Sequence, residues 1–367
     1  NGGWVDLVLR LGSGGEHLNP IPRERLQEAG GTPTVWDWEW MRRIQDTARN
    51  QNRSSLLGKL GRKLSGPANE AAWQKIVGIL ELEFAVKLAD LSLPKSLLFN
   101  YQSDVKVFAD YFKAAKTKEL YLVDAYSNQW LVLAAKQAGV KVIEIQHGFV
   151  NEFHPAYSYP AGFLGMKQAV DSVPNHIAVW GGYWGTDTTL PKGTDTVVTG
   201  PTLPFAEYRA KALAENRIVA KQVLFTSQGA IGEDLFRAAI ATAVRLPDHK
   251  IIYRLHPNET LEDYEVLGQK IAATDGKPLP ANLSLSHRDP IFLDLVSRSE
   301  YLIGAFSTTL FEGLALGCRV LVLPLSGFEN VRPAIASGDL TLIDSLEQLP
   351  ALLAQAKPAA DPSRYYA

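Results

Sequence analysis

Short apolar runs alternate with amphipathic stretches along most of this sequence, and the alternation restricts the possible folds more than any other feature. In the second half, the apolar runs lie at Gln222–Thr226, Ile251–Leu255, Tyr301–Ala305 and Arg319–Leu323. Each run has the length of a β-strand, and the stretches between the runs show helical spacing. Strands that alternate with helices in this way predict a parallel sheet with crossover helices on its faces.

The first half of the sequence repeats this alternation. Strands are expected at Leu120–Asp124 and Val140–Ile145, with a helix at Gln129–Ala138 between them. We also expect a short buried strand at Ser96–Asn100, followed by a helix from Val105 to Ala115, because an apolar run there precedes a helical pattern.

The length of the chain predicts more than one domain, since 367 residues exceed one ordinary α/β core. The stretch Gly200–Pro204 contains two prolines and is the best boundary. We predict an α/β protein with two Rossmann-like domains facing a central cleft. Residues 1–200 would form the first domain and residues 201–350 the second, and the tail 351–367 would pack back on the N-terminal domain.

Composition and charge limit the partners and the location. A formal net charge of −2 gives no reason to expect nucleic acid as a partner. Cys318 is the only cysteine, so an intrachain disulfide is impossible, and no run approaches the ~18–20 apolar residues of a membrane span. We therefore expect a cytoplasmic protein. The basic stretch from Arg49 to Lys63 is either a solvated face or a peripheral contact with an anionic acceptor or with lipid heads at the inner face of the membrane.

Polar residues follow the expected strands of the second half, at the edge where parallel sheets bind ligands. Ser307, Thr308 and Thr309 stand between an apolar run and a helical pattern. Such hydroxyls are natural N-caps, and the free N–H groups of a helix start also form an anion site. Glu312 lies about a helical turn further on, where it either serves a capping box or accepts hydrogen bonds from a ribose diol.

Two more strand ends contribute to the same predicted site. His256 precedes Pro257, which fixes the exit of the strand, and its imidazole either stabilises a leaving phosphate or is a structural histidine. Ser227 and Gln228 follow the first strand of the second half and are assigned to the same nucleotide-binding site. No cluster of aspartates suggests a metal, and a helix start with a histidine can neutralise a phosphate.

The stretch from Arg254 to Pro257, together with Ser307, Thr308 and Glu312, resembles the donor half of GT-B glycosyltransferases. The pattern is most similar to bacterial capsule and lipopolysaccharide enzymes with cytidine-nucleotide donors: polysialyltransferases, Kdo transferases and CDP-glycerol polymerases. In these enzymes a histidine-proline pair and a serine motif contact the donor's nucleotide and phosphate, so the resemblance implies that role here. A hydroxyl run with a later glutamate is also similar to enzymes that use uridine nucleotides, so the base stays open.

A second part of the resemblance lies in the first half, where Gln146–Phe149 follows a strand and is similar to the family's motif of a histidine or acidic residue before glycine. The resemblance implies that His147 is the general base, a role that suits an imidazole. Glu144 and Asp124, also near strand ends, are alternative bases, and Asp124 could instead cap the following helix. Sialyltransferases of the family have an Asp-Gly base where this sequence has a histidine before its glycine.

The sequence and the resemblance together predict a metal-independent glycosyltransferase and leave open whether it inverts or retains the anomeric configuration. The resemblance implies that residues 1–200 bind the acceptor and residues 201–350 bind the donor. The nucleotide-sugar donor is a substrate, with a CMP-sugar favoured and a UDP-sugar open, and no cofactor is expected. The acceptor would be an oligosaccharide or glycolipid, with His147 on its side of the cleft and Ser307 on the donor side. The alternatives are a CDP-polyol phosphotransferase, a nucleotide-sugar epimerase and a non-catalytic sugar-binding module of the same fold.

Overall fold

A computed structural model of the chain describes residues 5–8, 34–36, 45–46, 50, 74–75, 77–79, 81–83 and 92–367. The described strands are, in chain order, β1 Val5–Val8, β2 Thr34–Trp36, β3 Glu119–Val123, β4 Lys141–Ile145, β5 His176–Val179, β6 Asp195–Val198, β7 Val219–Thr226, β8 Lys250–Arg254, β9 Leu283–Ser286, β10 Ser299–Gly304, β11 Arg319–Val322 and β12 Leu340–Leu342. All of the basic stretch from Arg49 to Lys63 except Asn50 lies outside the described residues, so the predicted membrane or acceptor contact there stays a prediction.

Helices connect most of these strands. The described helices with defined bounds are α1 Ser92–Ala115, α2 Gln129–Gln137, α3 Lys167–Ser172, α4 Leu203–Glu215, α5 Gly232–Arg245, α6 Leu261–Asp275, α7 Phe292–Ser297, α8 Thr308–Ala315, α9 Arg332–Ala336 and α10 Leu349–Gln355. The 3-10 helices are Ala125–Asn128, Ala161–Phe163, Gly229–Ile231, Phe328–Val331, Leu346–Gln348 and Pro362–Arg364.

The described strands form two sheets. The first has the order β2-β1-β3-β4-β5-β6 and the second the order β12-β11-β10-β7-β8-β9. The register of the neighbouring strands is parallel wherever it is defined, as between β7 and β8 and between β10 and β7. The predicted α/β fold with two Rossmann-like parallel sheets is therefore confirmed.

The chain forms two compact units. Unit 1 comprises the described residues up to His147, with Tyr159–Ala178 and Leu190–Thr196. Unit 2 comprises Gly148–Ser158, Val179–Thr189 and Val197–Ala367. The end of the tail contacts residues of unit 2: the Nε1 of Trp184 donates to the carbonyl of Tyr365, and the backbone N of Ala367 donates to the carbonyl of Trp180.

The sheet of unit 2 is buried on both faces, which explains its continuous apolar runs. Val223 and Phe225 of β7 belong to a core with residues of α5 and α6. On β10, Leu302 points to the other face, where α8 packs so closely that a Cβ on Gly313 would lie 2.4 Å from a methyl group of Leu302. This close contact holds α8 on the strand that precedes it.

One strand expected from the sequence is wrong. Ser96–Asn100 belongs to α1, a helix that runs from Ser92 to Ala115. Pro94 lies in its first turn, where the missing N–H has no intrahelical partner to lose. Farther along, Phe108 and Phe112 pack in a core with α2 and β3, so tertiary packing favours one long helix over a strand and a shorter helix.

Candidate functional site

The strand order of unit 2 reverses between β7 and β10, and the loops that follow these two strands lie side by side. Leu224 of β7 pairs with Leu302 of β10, and the chain runs from both strands toward the same edge. Parallel α/β sheets bind ligands outside the carboxyl ends of the strands at such a reversal. Because the polar residues expected from the sequence follow β7, β8 and β10, the sheet brings them to one edge.

Gln228 joins the two loops at the reversal. Its side-chain Nε2 donates to the carbonyl of Phe306, and its Oε1 accepts a hydrogen bond from the backbone N of Phe306 at 3.0 Å. The side-chain amide thereby makes one donated and one accepted hydrogen bond with the backbone of Phe306, the pattern that a paired residue of a neighbouring strand makes. Gln228 was predicted to bind nucleotide, and in this structure its side chain fixes the backbone that leads into α8.

The hydroxyl cluster forms the start of α8. Ser307 is the N-cap, and its Oγ accepts a hydrogen bond from the backbone N of Thr309 at 3.3 Å, so the capping interpretation holds for Ser307. Thr308 is the first residue of the helix. Among the described residues, the buried Oγ1 of Thr309 and that of Thr226, at the end of β7, have no hydrogen-bond partner. Buried hydroxyls without partners are unusual and are reasonable contacts for a ligand.

Glu312 is half-buried in the second turn of α8, beside the buried Phe311 and Gly313. The capping-box interpretation is wrong, because the third residue of the helix is Leu310 and Glu312 lies two positions later. No described residue donates a hydrogen bond to its carboxylate, and burial raises its pKa from 4.5 to about 7. A carboxyl without a partner at a ligand-binding edge is a candidate acceptor for the hydroxyls of a ligand.

Tyr366 lies near Glu312 and also has an unused polar group. Its side chain stacks on Trp180 with a 5.4 Å separation of ring centroids, and the Nη1 of Arg209 donates to its carbonyl at 2.9 Å. Its buried Oη has no hydrogen-bond partner among the described residues. Burial, and then the charge of Glu312, raise the pKa of this phenol well above its ordinary value.

His256 lies on the exposed loop after β8, and its imidazole is held from one side. The Nδ1 accepts a hydrogen bond from the backbone N of Asn258 at 3.3 Å. With Nδ1 as acceptor, a neutral imidazole carries its proton on Nε2, which can then donate to an anion. Pro257 follows in the same exposed loop.

The hydroxyl of Ser227 is buried and engaged in hydrogen bonds, so it is not placed to bind a phosphate directly. Ser227 is only 7% exposed, its Oγ donates to Glu259 at 2.9 Å, and the Oη of Tyr253 donates to it at 2.9 Å. Its hydroxyl therefore belongs to a buried network. The sequence predicted that Ser227 binds the nucleotide. Because its hydroxyl is engaged, Ser227 would contribute to such a site by fixing the position of its loop.

The helices that follow β7 and β10 differ in the charge at their starts. Helix α5 has Glu233 and Asp234 in its first turn, and the carboxylate of Glu259 lies against its first residue, Gly232. The first turn of α8 has no acidic residue. The positive end of a helix dipole attracts an anion, but carboxylates that already lie there repel a second one. A phosphate would therefore be repelled at the start of α5, whereas the start of α8 can accept it.

The candidate base lies in unit 1, after β4. His147 is exposed, its Nε2 is 3.2 Å from the Oη of Tyr126, and the two rings stack with centroids 5.8 Å apart. Tyr126 belongs to the 3-10 helix Ala125–Asn128, which follows β3. This tyrosine was not singled out from the sequence, because the contact depends on the pairing of β3 with β4.

The two alternative bases hold this 3-10 helix in place. Asp124 adopts a left-handed backbone with φ 62°, and its side chain accepts a hydrogen bond from the backbone N of Ser127 at 3.2 Å. The Oε1 of Glu144, which is 1% exposed, accepts a hydrogen bond from the backbone N of Ala125 at 3.0 Å. Of the three predicted bases, His147 is therefore the one that solvent and substrates reach most easily.

Two further searches cover the described part of the chain. Among those residues, no group of three or more His, Cys, Asp or Glu side chains is arranged to hold a metal ion. None of the described helices combines the length and the apolar character that crossing a membrane requires.

Solved structures with a similar fold include glycosyltransferases and epimerases. A glycosyltransferase from Rickettsia africae matches 97% of this chain and 88% of its own at 12% identity, with a TM-score of 0.51. MurG from Acinetobacter baumannii matches 96% of this chain and 90% of its own at 15% identity, with a TM-score of 0.49. A putative UDP-N-acetylglucosamine 2-epimerase from Listeria monocytogenes matches 74% of this chain and 75% of its own at 17% identity, with a TM-score of 0.47.

Of these three, the rickettsial enzyme alone exceeds a TM-score of 0.5, and its identity is low. The comparison therefore shows a shared fold, the GT-B fold predicted from the sequence, and nothing more. No family model matches the chain, and a search of curated proteins finds no match.

Proposed function

We propose that this chain is a glycosyltransferase that moves a sugar from a nucleotide-activated donor to a hydroxyl of a surface polysaccharide or glycolipid. The observation that carries the proposal is the pairing of an anion site with a polyol site on α8. The start of the helix offers N–H groups and the unpartnered hydroxyl of Thr309, and Glu312 offers an unpartnered carboxyl one turn later. A nucleotide-sugar presents both kinds of group, a phosphate and ribose hydroxyls.

The strand order of unit 2 supports this assignment. Reading the sheet from β7 along the chain gives the order 3-2-1-4-5-6, which binds nucleotides at the reversal between the first and fourth strands. The fold shared with the rickettsial glycosyltransferase agrees with a transferase, although fold alone does not determine an activity.

In the proposed reaction, His147 removes the proton of the acceptor hydroxyl as its oxygen forms a bond with the anomeric carbon. The bond between that carbon and the phosphate oxygen breaks, and its electron pair leaves with the nucleotide. The N–H groups of α8 and the Nε2 proton of His256 stabilise the negative charge on the leaving phosphate, so the proposed chemistry requires no metal.

The donor is proposed from two sequence features that favour different nucleotides. The pair His256–Pro257 resembles the motif of enzymes with cytidine nucleotides and favours a CMP-sugar, whereas Glu312 resembles the ribose ligand of enzymes with uridine nucleotides. Thermal-shift measurements with CMP, CDP, UDP and GDP distinguish these donors, because a ligand that binds the native state raises its melting temperature. A shift with one nucleotide alone identifies the donor class.

The test of the proposed function is His147→Ala, with nucleotide binding and sugar transfer measured in parallel. We expect nucleotide affinity to stay within about twofold and transfer to fall by 10²–10⁴-fold, the usual contribution of a general base. The control is His176→Ala, since His176 lies at the start of β5 and pairs with Asp195. Unchanged transfer in His147→Ala would remove His147 as the base.

The products distinguish the alternative activities. Conversion of a nucleotide-sugar to its epimer without an acceptor would support an epimerase, and transfer of a polyol phosphate would support a CDP-polyol phosphotransferase. Nucleotide-sugar binding without turnover under any acceptor would support a non-catalytic module.

A further inference from the structure

The carboxylate of Glu259 joins three elements at the carboxyl edge of the unit 2 sheet. Its Oε2 accepts a hydrogen bond from the backbone N of His256 at 2.7 Å. Its Oε1 accepts hydrogen bonds from the Oγ of Ser227 at 2.9 Å and from the Oη of Tyr264 at 2.8 Å. One side chain thereby links the loop after β8 to the end of β7 and to α6.

The network around Glu259 is closed by Tyr253 of β8. The Oη of Tyr253 donates to the Oγ of Ser227 at 2.9 Å and contacts the carbonyl of Gly232 at 2.6 Å. Tyr253 is fully buried and Tyr264 is 7% exposed. Since this network lies beneath the surface, it provides a fixed base for the exposed loop above it.

The space around Gly232 shows how tightly the network is packed. A Cβ on this residue would lie 2.1 Å from the Oη of Tyr264 and 2.7 Å from the Oε1 of Glu259. Gly232 is the first residue of α5, a helix of 14 residues. The carboxylate of Glu259 therefore lies beside the start of this helix, at the positive end of its dipole.

The side chain of Glu259 is the link between the turn of His256 and the buried network. The imidazole is exposed, and its Nδ1 accepts from the backbone N of Asn258 two residues later. The bond from the backbone N of His256 to Glu259 connects this small turn to the buried network. Without it, the turn would keep its internal bond, the bond from the backbone N of Glu259 to the carbonyl of His256, and the bond from the backbone N of Leu255 to the carbonyl of Ser286. It would lose its link to the buried network.

We propose that Glu259 is a positioning residue of the donor site, which holds His256 where its imidazole contacts the phosphate of the nucleotide-sugar. This inference rests on the proposed function, and it adds that the affinity for phosphate depends on a carboxylate that does not itself touch the ligand. If it had no such role, the carboxylate of Glu259 would only repel a phosphate bound by the histidine three residues before it.

The first measurement needs no ligand. In Glu259→Gln one of the two oxygens becomes an NH₂ group, which cannot accept, so the three donors compete for a single acceptor. We expect the backbone amide of His256 to exchange with solvent at least about tenfold faster, because hydrogen bonds to charged groups are stronger than neutral ones. Exchange in the centre of β7 should not change. The matched control is Glu265→Gln, which alters an exposed carboxylate on α6, the helix that follows the loop of Glu259.

The second measurement is a double-mutant cycle with nucleotide affinity as the readout. Glu259→Gln should weaken nucleotide binding nearly as much as His256→Ala does, and the double variant should be no weaker than His256→Ala alone. A residue with only a structural role would give additive losses. Additive losses, or an unchanged exchange rate of the His256 amide, would overturn the proposal.

A further variant separates positioning from folding. Tyr264→Phe keeps the carboxylate and removes one donor to it, and we expect a smaller increase in the exchange rate of the His256 amide with the protein still folded. If that rate stays at the wild-type value, the network does not position the loop and the proposal fails. Failure of the wild-type protein to bind any nucleotide would instead refute the proposed function, whatever the exchange rates show.

Discussion

Replacement of Glu312 with glutamine tests the physical environment on which the donor site depends. The carboxyl is half-buried and has no hydrogen-bond partner among the described residues, and its pKa rises from 4.5 to about 7. Between these values the unfolded chain has released the proton while the folded chain still holds it. The free energy of unfolding must therefore fall as the pH rises through this range.

The size of the effect follows from the two pKa values. Each pH unit between 4.5 and about 7 reduces the contribution of Glu312 by about 1.4 kcal/mol, and the total between pH 4 and pH 8 is roughly 3 kcal/mol. Glu312→Gln removes this ionisation and leaves every other titrating group in place. We expect the variant to gain roughly 3 kcal/mol relative to the wild-type protein as the pH rises from 4 to 8.

The assay is urea denaturation at several pH values between 4 and 8, followed by tryptophan fluorescence and by circular dichroism. Coincident transitions from the two signals would justify a two-state treatment. Glu265→Gln, at an exposed position of α6, is the control and should follow the wild-type curve. Parallel curves for Glu312→Gln and the wild-type protein would refute the conclusion that Glu312 is desolvated and unpartnered.

Three further substitutions test other parts of the account. Tyr126→Phe keeps the ring that stacks on His147 but removes the tyrosine hydroxyl. We expect transfer, measured by steady-state kinetics, to slow by about tenfold, and nucleotide affinity, measured by calorimetry, to stay unchanged. Gln228→Ala removes both hydrogen bonds to the backbone of residue 306 and should lower the free energy of unfolding by about 1–3 kcal/mol, measured with urea, and weaken nucleotide binding. Gly232→Ala would place a methyl group against the hydroxyl of Tyr264 and should cost about 1–3 kcal/mol in the same assay, whereas Gly229→Ala, with open space around it, should not.

The sequence predicts the sheet of unit 2 well because its strands are buried on both faces. Continuous apolar runs such as Tyr301–Ala305 have no other simple interpretation when helical stretches separate them, and β10 covers Ser299–Gly304. Local patterns were misleading elsewhere, as at Ser96–Asn100, which was predicted to be a strand and belongs to α1. Pro204 lies in the stretch predicted as the domain boundary and is the second residue of α4, a position where a missing N–H is tolerated.

The candidate site was predictable where it depends on chain-local features. Ser307 is an N-cap because it follows a strand and begins a helix, and both features are visible in the sequence. The role of Glu259 was not predictable, since its partners Ser227 and Tyr264 lie 32 and 5 residues away and meet only in the folded sheet. For the same reason the sequence did not show that the hydroxyl of Ser227 is used internally.

The central claim is that a nucleotide-sugar binds at the start of α8, and hydrogen exchange of the full chain with and without nucleotide tests it most directly. With the nucleotide that gives the largest thermal shift, we expect slower exchange at the backbone amides of residues 307–310 and at the loop after β7. Glu312→Gln should weaken the binding and reduce this protection at a given nucleotide concentration. Binding that leaves the amides of residues 307–310 unprotected, or protection confined to another part of the chain, would contradict the account.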